Sequence, residues 1–115
     1  MNKENSIIKV CIPAINEGLE SEIDPRFGRC KFFTLIELKN GKILNTKSVK
    51  NIGAEQGSGA GIAAAEQVSK LDADVVLTYD VGPKSETILD QLGIKIIKTS
   101  GTIQTALNNY INNIK

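Results

Sequence analysis

A chain of 115 residues, 41% apolar and 23% charged, suffices for one layered hydrophobic core and not for two. Fourteen Lys and Arg against thirteen Asp and Glu leave a formal net charge of +1, which argues against a non-specific nucleic-acid binder, whose basic excess is usually strong. Without a histidine and with only two cysteines, Cys11 and Cys30, the chain cannot build a His-based nucleophilic triad, an H-E-x-x-H zinc site or a four-thiolate iron–sulfur site of its own.

Residues 1–6 are polar and are expected to be extended or disordered, with residues 7–115 forming a single domain. No signal-type apolar segment is present, nor a run of the ~20 apolar residues that a membrane span needs, so the expected location is the cytoplasm. A disulfide framework is not expected there.

In chain order, residues 7–13 are β-branched and end at Pro13, which predicts a first strand. Residues 15–30 form a long polar stretch with Glu17, Gly18, Asp24, Pro25 and Gly28. Loops longer than ~12–15 residues are uncommon in compact domains and often functional. Residues 31–38 predict a second strand. Asn40-Gly41 follows, a strong hairpin signal because both central positions of a type I′ turn need positive φ. Residues 42–49 then pair back as a third strand.

After Asn51 the period changes. Gly57, Ser58, Gly59, Ala60 and Gly61 open an alanine-rich helix over 62–71, with Gly61, Ala64, Ala65, Val68 and Leu71 on one stripe. Residues 74–78 are a short apolar run suited to a buried parallel strand. Gly82-Pro83 punctuates it, and a helix follows over 84–91, ended by Gly93. A strand over 94–97, a turn at 100–102 and an amphipathic helix over 103–114 complete the order βββαβαβα. Three strands followed by alternating helix and strand imply a mixed sheet with parallel crossovers.

Three segments precede helix N-termini: 57–61, 79–84 and 100–102. The last two follow parallel strands directly, and crossover topology sets such loops along the carboxyl edge of a sheet, where α/β proteins bind ligands. Helix N-termini offer unpaired N–H groups to anions. Asp80, Gly82, Lys84, Gly101 and Thr102 are candidates on that basis, with turn formation or capping as the other reading of Asp80. The glycine run is neither a Walker A loop nor G-x-G-x-x-G, and its glycines equally suit close helix–sheet packing. Arg26, Gly28, Arg29 and Cys30 close the long loop, placing two guanidiniums and a thiol within five residues. Arginine grips anions, and neighbouring cations favour a thiolate. A solvated loop face and a small buried residue are the alternatives for the arginines and Cys30. Cys11, inside the first strand, reads as core.

Arg26-Phe27-Gly28-Arg29-Cys30, then the helix start over 57–64, then Val81-Gly82-Pro83, Gly93-Ile94 and Gly101-Thr102 come in the order and spacing of one family. Over residues 7–112 the chain resembles the dinitrogenase iron–molybdenum cofactor biosynthesis proteins, the small nitrogenase accessory and orange-protein-like family. The resemblance implies a ribonuclease H-like three-layer α/β fold with a five-stranded mixed sheet. It also implies a non-enzymatic role, binding or carrying a preformed anionic metal–sulfur cluster that is held non-covalently. That cargo would be the iron–molybdenum cofactor, its precursor, or a cluster like the molybdenum–copper sulfide of orange proteins. Residues 26–30 and 57–61 match the family's signature segments, with Cys30 as the one candidate metal ligand. Implied partners are cluster donor or acceptor proteins, with no nucleic acid and no membrane, for a monomer or weak homodimer. Tyr79 departs from the small residue usual before Val-Gly-Pro, Lys84-Ser85 departs from the usual Asn-Ala, and the histidine ligand of some carriers is absent. A cluster-free interaction module is the alternative. A nuclease of the same fold would need an acid in the first strand, and residues 7–13 have none.

Overall fold

The computed structural model describes residues 6–114, so the expectation for the first five residues lies outside the described ones. Five strands form one mixed sheet in the order β3-β2-β1-β4-β5. Strand β1 (Ile7–Ala14) is central, antiparallel to β2 (Phe32–Lys39) and parallel to β4 (Val75–Thr78). Strand β3 (Lys42–Lys50) pairs antiparallel with β2, and β5 (Lys95–Lys98) parallel with β4. With helices α1 (Ala60–Lys70), α2 (Pro83–Gln91) and α3 (Ile103–Ile114), the order is the expected βββαβαβα.

Alternation along β1 divides the core in two. Cys11 packs with Phe33 and Val76 against Ala64, Ala65 and Val68 of α1 and Leu89 of α2. Val10, Ile12 and Ala14 point the other way, onto Ile103, Ala106 and Leu107 of α3. A strand covered on both faces must be apolar at nearly every position, which is why 10–14 lacks polar residues. Asn40 (φ 53°) and Gly41 (φ 76°) take the left-handed geometry that the hairpin turn requires.

Several element ends shift by one residue from the sequence reading, and two larger differences have identifiable causes. Helix α1 begins at Ala60, two residues early, because Gly59 (φ 76°) sits at the N-cap and turns the chain into the helix there. The long 15–30 stretch is no free loop. Asp24 N–H donates to Pro13 O at 3.0 Å and Ile23 N–H to Gly101 O at 2.9 Å, lacing it along the sheet edge.

One buried group is left unpaired. Thr34 of β2, opposite Ile12 and Ser48, is fully buried, and its Oγ1 has no hydrogen-bond partner. Burying an unpaired hydroxyl costs about 1–3 kcal/mol, and an apolar residue of the same shape avoids the cost. Thr34→Val is therefore expected to stabilise the fold by about 1 kcal/mol. Urea denaturation checks this as a raised midpoint with an unchanged slope.

Candidate functional site at the carboxyl edge of the sheet

The segments singled out in the sequence meet at one edge. The tightest approach is between backbones. A Cβ on Gly28 would lie 2.8 Å from both Cα and N of Gly61 in the first turn of α1. Gly61 in turn faces Ser85 of α2, whose Oγ would collide with any side chain there. Gly28, Gly61 and Ser85 thus bring the long loop and two helix N-termini together. The space left by Gly61 is taken by Ser85 and not by a ligand.

Two side chains sew the loop to the segment before α1. The Arg29 guanidinium donates to Ala54 O at 3.0 Å, to Gln56 O, and to Gly57 O at 3.4 Å. Asn51 is buried and donates from Nδ2 to Gly28 O (3.1 Å) and Cys30 O (2.9 Å), while its Oδ1 accepts from Gly53 N–H (3.2 Å). Arg29 therefore spends much of its hydrogen-bonding capacity on carbonyls of its own chain. Arg26 remains open to solvent, its side chain 69% exposed, and Nε lies 3.4 Å from Oδ1 of the buried Asp24. That carboxylate oxygen also accepts the Arg26 N–H at 2.9 Å, which fixes where the side chain leaves the loop.

Cys30 lies inside the core, fully buried, with Sγ 3.4 Å from Phe27 O. Burial pushes its thiol up to about 12, more than the Asn51 hydrogen bond lowers it, and burial likewise pushes Cys11 upward. Among the described residues no three His, Cys, Asp or Glu side chains group where they could hold a metal ion. The arrangement offers donors and charge in place of a ligand cage.

The three helix N-termini are not equivalent. Helix α1 has no side-chain cap, and its first bond, Ala63 N–H to Gly59 O, leaves the N–H groups of Ala60, Gly61 and Ile62 outside the helix ladder. Helix α2 also lacks a side-chain cap, with Gly82 at the N-cap and Pro83 in its first turn. Helix α3 is already satisfied. Ile103 and Gln104 N–H donate to Ser21 O and Leu19 O, and Thr102 Oγ1 accepts from Thr105 N–H at 3.1 Å. Thr102 is thus occupied as a helix cap. Asp80 likewise serves its own turn, its Oδ1 accepting Val81 N–H at 2.9 Å, with Lys98 Nζ at 3.8 Å. Lys84 is exposed beside Pro83 in a shallow groove between α1 and α2.

Beyond the ends of β1, β4 and β5 opens a cleft of about 450 Å³, lined by Ile15, Glu22, Ile23, Pro25, Tyr79, Ser100 and Gly101. Of these Gly101 was a candidate by name, and Tyr79 and Ser100 fall in the segments 79–84 and 100–102 expected at this edge. Ile15 and Tyr79 are 39% and 57% exposed, large apolar groups left in water at a concave edge. Their signal in the sequence is position alone, each being the first residue past a core strand.

Fold and edge together define a small α/β protein of ribonuclease H-like topology with a ligand-sized cleft at the carboxyl ends of its strands. The profile of the family described as dinitrogenase iron–molybdenum cofactor matches residues 9–113, and the chain belongs to that family. It is 29% identical over 96 residues to the uncharacterized protein MJ0580 of Methanocaldococcus jannaschii, covering 84% of this chain and 78% of that one. The apo orange protein of Desulfovibrio gigas superposes with a TM-score of 0.85 at 29% identity, covering 95% of this chain and 91% of that one. The crystal structure of PH0822 shares the fold, with a TM-score of 0.81 at 23% identity over 92% of each chain.

Gly28→Ala drives a Cβ into backbone atoms that cannot swing aside, and it is expected to destabilise the fold by about 1–3 kcal/mol in chemical denaturation. Both buried thiols should resist a thiol reagent at pH 8 in the native chain and react once it is unfolded. Their raised folded-state values also set a pH dependence, from an ordinary 9.0 to about 12 for Cys30. The stability they contribute is complete below pH 9 and is lost as the pH climbs towards 12, read as a falling denaturation midpoint.

Proposed function

We propose that this protein binds and carries a preformed, anionic metal–sulfur cluster and performs no chemistry on it. The iron–molybdenum cofactor, its precursor and a molybdenum–copper sulfide cluster are the cargoes of that class. The observation that carries the reading is the junction of Gly28, Gly61 and Ser85, which sets two helix N-termini without side-chain caps beside the Arg26 loop. Helix N-termini favour anions through free N–H groups and the positive end of the dipole. The family match and the likeness to the orange protein support the same class of cargo.

The division of labour follows from the geometry. Arg26, exposed on the loop, supplies positive charge. Arg29, itself exposed, holds the 54–57 segment in place and adds its charge there. Ile15, Pro25 and Tyr79 line the cleft with apolar surface suited to a polarizable sulfide shell. Cys30 is assigned to packing, and Gly101 forms part of the cleft wall.

Anaerobic incubation with isolated iron–molybdenum cofactor, and separately with tetrathiomolybdate and Cu(I), followed by gel filtration, tests the proposal. Visible absorption and molybdenum should co-elute with the protein. Arg26→Ala should weaken retention about tenfold with the fold retained, as circular dichroism checks, at some cost in stability because the buried Asp24 loses its charged partner. Cys30→Ser should leave retention intact. A chain that stays colourless with every cluster offered would sink the carrier reading and favour a cluster-free interaction module.

A further inference from the structure

The flank of the sheet away from the cleft has its own chemistry. Charge is segregated along the sequence: residues 31–50 hold five lysines and one acid, Glu37, a net +4 in a chain whose total is +1, so all other residues together carry −3. This basic segment is the β2–β3 hairpin, and β3 forms the sheet edge, with no strand on its outer side among the described residues. Ile43 and Leu44 stand 41% and 54% exposed on it. Beside it lies a groove of about 270 Å³ near the C-terminal end of α1, flanked by Lys9, Lys47 and Lys70 with Leu35 and Leu71. Glu37, the acid of this groove, is engaged by Asn45 Nδ2 at 3.3 Å. None of these three lysines is in an ion pair with a described residue.

We propose that β3 is a docking edge for an acidic, extended segment of a partner protein, which adds as a sixth strand and sets its carboxylates against Lys42, Lys47 and the groove lysines. An unpaired strand offers a row of backbone donors and acceptors, and strand addition draws affinity from them and specificity from side chains. A second copy of this chain is the wrong occupant. Antiparallel pairing of two β3 strands about Thr46 sets Lys42 opposite Lys50, and like charges directly opposite each other repel. The lysines that deter self-pairing select a strand of opposite charge. Nucleic acid fits less well, since the hairpin has no arginine and its aromatics, Phe32 and Phe33, turn into the core.

The test uses the full chain and a fluorescein-labelled heptapeptide of alternating Glu and Val, titrated by anisotropy at low salt. Saturable binding is expected, weakened about tenfold or more by added salt and by the pair Lys42→Glu with Lys47→Glu. Backbone amides over residues 42–50 should slow in hydrogen exchange when the peptide binds. A Lys–Val heptapeptide and an oligothymidylate should not bind. Absence of peptide binding, equal binding by the charge-reversed variant, or unchanged exchange along β3 would each overturn the proposal. Preferential binding of the oligothymidylate would assign the edge to nucleic acid, and concentration-dependent dimerisation abolished by the charge reversal would assign it to a second copy.

Discussion

The close approach of Gly28 to Gly61 is the constraint on which the rest of the edge depends. Without side chains between them, the loop from β1 reaches the first turn of α1, and Gly61 leaves room for Ser85 of α2. Backbone contact at this distance sets geometry firmly, because interiors are packed densely and no rotamer can absorb a change. Arg29 and Asn51 then close the joint from the other side, each bonding several backbone groups. Buried polar groups so fully paired favour one arrangement of a loop whose apolar anchors are Ile23, Phe27 and Cys30.

The chemistry of the site follows from what this joint leaves over. The thiols are buried, the Asp24 and Asp80 carboxylates serve turns, and among the described residues no three His, Cys, Asp or Glu side chains group as a coordination shell. The groups left over are backbone N–H groups at two helix starts, the exposed Arg26 and Lys84 cations, and a largely apolar cleft wall that also carries Glu22. Such a set discriminates by charge, size and polarizability more than by coordination number, which suits an object assembled elsewhere.

Much of this architecture was legible in the residues. The Asn40-Gly41 turn, the switch from two-fold to helical period after Asn51 and the glycine after α2 each have one dominant local cause, so the order of elements followed directly. The meeting of residues 26–30 with 57–61 was also legible, through the family resemblance, whose signature segments they match. The role of Arg29 was not, since a guanidinium reads the same whether it faces a ligand or three carbonyls about 25 positions away. The pairing roles of Asn51, Asp24 and Ser85 were not legible either, because a lone polar residue carries no signal until its partners are placed.

By itself, then, the sequence determined the elements, their order, the mixed sheet and the absence of any histidine or multi-thiolate site, because periodicity, turn chemistry and composition are local or additive. Only the tertiary structure decided which candidates face outward. It turned Cys30 into the core, spent Thr102 on capping α3, gave Arg29 to the 54–57 segment and opened a cleft beside Tyr79. Those outcomes depend on contacts between segments distant in the chain, where a shift of one residue in register or one turn of helix would have chosen differently.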